Sequence, residues 1–126
     1  MTYILYVSPE IETPQDGLIF IESAQFEVMA DKLLGSQGRD ALQSELLEHP
    51  ESGKPIEETN GARKIRIALD GRGKSGGGRV IYYYRHAKGA IFFLAIYPKN
   101  EKENLTKADK KALREQIKKI DEEAYP

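Results

Sequence analysis

Arg63-Lys64-Ile65-Arg66-Ile67-Ala68-Leu69, a glycine-rich stretch Asp70-Gly71-Arg72-Gly73-Lys74-Ser75-Gly76-Gly77-Gly78, and Arg79-Val80-Ile81-Tyr82-Tyr83-Tyr84-Arg85 decide the fold of this chain. Successive side chains of a strand point to opposite faces. The first run therefore sets Ile65, Ile67 and Leu69 on one face and Lys64, Arg66 and Ala68 on the other, so that one face packs and the other presents cations. Residues 79–85 are β-branched and aromatic, and Ile91-Phe92-Phe93-Leu94-Ala95-Ile96-Tyr97 is apolar throughout, as a central strand covered on both faces requires. The glycines between the first two runs permit a flexible hairpin loop.

Working outward, Leu18-Ile19-Phe20-Ile21-Glu22 reads as a short buried strand, with a second strand at residues 3–7 and the turn-rich Thr13-Pro14-Gln15-Asp16-Gly17 between them. Ser23 is placed to cap a helix in which Phe26, Ala30, Leu33 and Leu34 recur at helical spacing until Gly35. A second helix is expected from about 37 to 47 with Ala41, Leu42, Leu46 and Leu47 inward, and residues 49–55 read as a loop. Thr106-Lys107-Ala108-Asp109 fits a capping box opening a last helix that buries Ala112, Leu113, Ile117 and Ile120. This order predicts an α+β domain: a small antiparallel sheet, two N-terminal helices and a C-terminal helix, with the helices on one side. The 126 residues suit one domain, 1–126, with residues 1–17 as an accessory N-terminal extension.

Charge is segregated along a chain whose net charge is only −1. Residues 60–102 carry ten Lys or Arg against two acids, residues 1–59 carry three against twelve, and the remainder is balanced. Such sorting offers a local positive field to a polyanion while the whole stays near neutral. The absence of cysteine excludes a disulfide framework and thiolate metal ligands, and His49 and His86 have no metal-ligand spacing. No metal or cofactor is expected. No run approaches the length of a membrane span and the first residues lack the pattern of a secretory signal, so the expected location is cytoplasmic.

Gly73-Lys74-Ser75 invites comparison with a phosphate-binding P-loop, but position 68 is Ala where the first glycine belongs, and a strand follows in place of a helix. Lys64, Arg66, Arg72, Lys74 and Arg79, each unremarkable on a solvated surface, become a phosphate-binding set when two pairing strands and their loop gather them. Crowding of like charge also favours the neutral form of a lysine, the form able to act as a base. Tyr82, Tyr83 and Tyr84 alternate faces, so at least one belongs to the core and another is free to stack on a base, as is Tyr97. His86 reads as an exposed turn residue and His49 as a helix C-terminal residue.

Arg63-Lys64-Ile65-Arg66, Gly73-Lys74-Ser75-Gly76-Gly77, Arg79-Val80-Ile81-Tyr82, Tyr97-Pro98-Lys99-Asn100-Glu101-Lys102 and Leu105-Thr106, together with Phe20-Ile21-Glu22 and Leu46-Leu47-Glu48-His49-Pro50-Glu51-Ser52-Gly53, resemble the HigB-type branch of the RelE/ParE toxin superfamily. The resemblance implies a RelE-like fold and a type II toxin-antitoxin toxin acting as a ribosome-dependent mRNA endoribonuclease. That reaction is metal-independent attack of a ribose 2′-hydroxyl on the adjacent phosphate. By the same resemblance Lys64 and Arg66 supply the base or grip phosphate, Arg79 stabilises the transition state, and Lys74 supplements it. Arg63, Arg72, Lys99, Lys102 and Tyr97 bind RNA. The implied partners are the ribosome, its mRNA and a cognate antitoxin of the helix-turn-helix type. The chain departs from the RelE pattern at Asn100, where a basic residue is usual, and at Leu105 and Thr106, where a tyrosine is usual. Two alternatives stay open from the residues: a ParE-like toxin that inhibits gyrase by protein contact, and a non-catalytic RNA-binding module.

Overall fold

A computed structural model describes residues 3–6 (backbone only), 18–69, 77–101 and 104–123. In chain order its elements are β1 (Tyr3–Tyr6), β2 (Ile19–Ser23), α1 (Ala24–Leu33), α2 (Gly35–Glu48), β3 (Lys54–Pro55), β4 (Ala62–Ile67), β5 (Gly78–Arg85), a 3-10 turn (His86–Lys88), β6 (Ala90–Pro98) and α3 (Lys107–Glu122). The α+β class, the three strands of residues 63–97 and the three helices are those the sequence predicts. The strands form one six-stranded sheet of order β1-β2-β6-β5-β4-β3.

Two features of the arrangement differ from expectation. β2 pairs parallel with β6, Ile21 lying beside Phe92, while every other pairing is antiparallel. Two helices and three strands separate β2 from β6, so no tight turn forces them antiparallel. The helices also cover both faces. Phe20, Phe26, Ala30, Leu42, Leu46, Ile65, Ile67, Val80, Tyr82 and Phe93 form one core under α1 and α2. Ile21, Ile81, Phe92, Leu94, Leu113, Ile117 and Ile120 form another under α3. A β6 that is apolar on both faces demands this second cover.

Local chemistry sets the helix ends. The Ser23 hydroxyl accepts the Phe26 N–H at 3.1 Å, and Gly35, at φ +66°, separates α1 from α2. Thr106 and Asp109 form the expected capping box, with reciprocal bonds of 3.0 and 2.8 Å. Ala41 and Ala112, expected inward, are exposed, whereas Gln43 is buried. A small side chain at the flank of an apolar stripe reads the same whether it faces in or out.

α2 is tied to β2 by charge. Glu22, 2% exposed, accepts from Arg39 Nε at 3.0 Å and Nη2 at 3.1 Å, and Arg39 Nη1 donates to Asp31 at 2.6 Å. Burial raises the Glu22 pKa above the ordinary carboxylate value, outweighing the hydrogen bonds and charge of Arg39. Among the described residues no helix is long and apolar enough to cross a membrane.

Candidate functional site

The sheet register aligns the cations. Lys54 on β3 lies directly opposite Lys64 on β4, and Arg66 on β4 lies opposite Arg79 on β5. Like charges directly opposite one another destabilise a sheet, so two such pairs side by side oppose stability. Lys64 and Arg66 share the strand face of Ala62, while Ile65 and Ile67 point into the core under α1 and α2, as the alternation predicts.

Lys54, Lys64, Arg66, Arg79 and Lys99 line a cleft of about 600 Å³ together with Ile65, Ser52 and Glu45 of α2. β3 has only two residues, so beyond Lys64 the β4 edge is open and the cleft forms there. Arg79 is 9% exposed and its Nη1 donates to the Gly78 carbonyl at 3.0 Å. Lys64 is half-buried, whereas Lys54, Arg66 and Lys99 are exposed. Three arginines outside the cleft are matched: Arg39 pairs with Glu22 and Asp31, Arg63 with Glu51, and Arg85 with Asp121. No ion pair with a described carboxylate neutralises Lys54, Lys64, Arg66, Arg79 or Lys99.

Two glycines and one tyrosine hold the walls. The Tyr82 hydroxyl donates to the Pro50 carbonyl at 2.8 Å and accepts the Gly53 N–H at 2.9 Å, pinning the loop that carries Ser52 and Lys54. A Cβ on Gly53 would lie 2.7 Å from the Tyr82 ring. Burial raises the Tyr82 pKa, so the phenol stays a neutral donor at the loop. At Gly78 a Cβ would meet both Leu69 Cδ2 and the Tyr97 carbonyl at 2.9 Å, and the close strand approach that glycine allows sets Arg79 against Arg66.

Of the sequence-predicted residues, the cleft gathers Lys64, Arg66, Arg79 and Lys99. Lys74, Arg72 and Lys102 lie outside the described residues. Arg63 occupies the other strand face, where its Nη1 donates to the Glu51 and Gly53 carbonyls at 3.0 and 2.8 Å, so it braces the loop. Tyr97 packs with Leu105 and Ala95 against the core under α3, away from the cleft lining. The tyrosine run is structural: Tyr82 is fully buried, Tyr83 donates to Asp121 at 2.8 Å, and Tyr84 packs on the first core. His86 is exposed in the turn at the far end of β5 from Arg79, and His49 caps α2.

Sequence reasoning missed Lys54, Ser52 and Glu45. Lys54 and Ser52 fall in a stretch rich in Pro and Gly that reads as loop, and Glu45 is one acid among many on α2. The available signal was Glu45 standing next to the inward Leu46 and three residues after the inward Leu42, which places it on the flank where helix meets sheet.

Comparison with known proteins matches this geometry to one family. Among solved structures, a doubly substituted mutant of the Escherichia coli toxin RelE in its free state shares the fold, with a TM-score of 0.51 and 22% identity. The likeness covers 69% of this chain and 88% of that one. The family description "RelE toxin of RelE / RelB toxin-antitoxin system" matches residues 52–124, which span β3 to the end of α3 and every described cleft residue except Glu45. This chain belongs to the RelE toxin family.

Proposed function

We propose that the protein is a metal-independent endoribonuclease that halts translation by cutting mRNA on the ribosome. The observation that carries this reading is the two directly opposed pairs of like charges, Lys54 with Lys64 and Arg66 with Arg79, gathered in one cleft with no ion pair to a carboxylate among the described residues. An arrangement that costs the free protein stability becomes favourable once phosphates lie between the cations. Lys64 and Arg66 grip the phosphates flanking the scissile bond. Arg79, buried and hydrogen-bonded to Gly78, stabilises the phosphorane with a fixed positive charge as charge develops. Lys54 and Lys99 hold neighbouring phosphates, and Lys74 adds to the grip. A helix-turn-helix antitoxin covers the cleft when the toxin is silent.

The ribosome supplies the strained RNA geometry, so cleavage of free RNA is expected to be slow. The test is a translation reaction with purified ribosomes and a defined mRNA, with cut sites read by primer extension. The parent chain yields discrete cuts, and Lys64→Ala with Arg66→Ala abolishes them while the fold is kept. Each of these two substitutions also reduces the salt slope of single-stranded RNA binding by roughly 0.7. Absence of cuts by the parent, together with normal growth on expression, overturns the proposal.

A further inference from the structure

Glu45 faces the same cleft as the five cations. It is the single carboxylate among the described residues lining it, and it comes from α2, outside the basic strands. Two neighbours fix its place. Its own carbonyl accepts the His49 N–H at 2.9 Å, closing the last turn of α2. Its charge acts on Tyr82, whose hydroxyl holds the loop of residues 50–53. Glu45 therefore stands at the wall where helix, loop and the β4 edge meet.

Attack by a ribose 2′-hydroxyl needs a group that takes its proton. Ammonium and guanidinium groups are donors without an accepting lone pair, whereas a carboxylate accepts from two oxygens. Of the described side chains lining the cleft, only Glu45 and Ser52 carry oxygen acceptors, and of these the carboxylate is the base. A lone anion would repel RNA on an open surface, but the surrounding cations offset that repulsion.

We infer that Glu45 is the general base of the cleavage reaction, an assignment that rests on the endoribonuclease reading of this cleft. A Glu45 carboxylate oxygen takes the 2′-hydroxyl proton as the 2′-oxygen bonds to the adjacent phosphorus. The bond from phosphorus to the 5′-oxygen breaks, its electron pair leaves with that oxygen, and the oxygen takes a proton from solvent. The products are a 2′,3′-cyclic phosphate and a 5′-hydroxyl. Lys64, Arg66 and Arg79 then serve to bind and to neutralise charge, and none of them has to lose a proton.

The test is single-turnover cleavage on programmed ribosomes across pH for the parent, Glu45→Gln and Glu45→Asp, with thermal unfolding and ribosome binding measured on each. Glu45→Gln keeps the size and hydrogen bonding of the side chain but cannot accept the proton. Its rate is expected to fall on the order of 100-fold or more, with ribosome binding and unfolding temperature unchanged. The acidic limb of the parent's pH profile is replaced by a log-linear rise with hydroxide. Glu45→Asp retains the acidic limb at a reduced rate, an effect that a merely structural role would not produce. A parent that cleaves while folded Glu45→Gln matches it within threefold and keeps its pH profile overturns the assignment alone. So does a Glu45→Asp variant that has lost the limb. A parent that cleaves nothing overturns both the assignment and the endoribonuclease reading.

Discussion

Replacing Tyr82 by Phe tests whether the loop of residues 50–53 is held by one hydroxyl. The ring is fully buried and would stay in place, so the change removes only the bonds to Pro50 and Gly53. The two losses are unequal. Gly53 is buried, and its N–H left without a partner costs about 1–3 kcal/mol. Pro50 is half-buried, so water can replace the donor to its carbonyl and the second loss is small. The expected destabilisation is about 2 kcal/mol, which for a chain of this size lowers Tm by roughly 6–10 °C. Urea unfolding followed by circular dichroism should show a lower midpoint at an unchanged m-value. Because Ser52 and Lys54 flank the released glycine, cleavage should also weaken, with a shallower dependence on salt. A change below about 0.5 kcal/mol would refute the reasoning, since it would mean that Gly53 finds another acceptor at no cost.

Gly78→Ala pushes a methyl group against Leu69 and the Tyr97 carbonyl, and should cost about 1–3 kcal/mol in urea unfolding while reducing cleavage through displacement of Arg79. Arg39→Ala leaves Glu22 buried without its guanidinium, at a cost of about 3–5 kcal/mol at pH 8. Since burial already holds the Glu22 pKa above its unfolded value, protonation relieves that cost in acid. The variant's deficit should therefore shrink at pH 5 and grow as pH rises through the folded pKa, as paired urea titrations would show. Tyr83 should ionise at about 12, raised by burial and then by its bond to Asp121. Its contribution to stability is present below the ordinary tyrosine pKa and is lost as pH rises from there to about 12. Asp121→Ala should lower that value in a phenolate absorbance titration without restoring the ordinary one, because burial is the larger cause.

The strands were legible because their side chains alternate without interruption. Ile65 and Ile67 against Lys64 and Arg66 fix both the face and the register of β4, and the unbroken apolar run of β6 already implied cover on two faces. The cationic half of the site was legible for the same reason. The other half came from elements whose local chemistry points elsewhere. Lys54 belongs to a two-residue strand ending in Pro55, too short to leave a periodic trace. Glu45 is distinguished only by its tertiary neighbours, and a long-range approach of helix to strand edge has no local code. Tyr97 shows the converse. It sits in register with Arg79, yet its side chain is drawn toward α3 and Leu105, a preference that strand alternation alone cannot reveal.

The parallel pairing of β2 with β6 has a consequence for how the protein comes to be made. The hairpins β4-β5 and β5-β6 are local and can form as soon as their residues are free, but β2 waits for a partner near the end of the chain. Phe26 cannot stack on Phe93 until then, so α1 lacks its seat on the sheet during most of synthesis. A nascent chain stopped before β6 thus lacks the strand that joins β2 and the seat of α1 to the rest of the sheet.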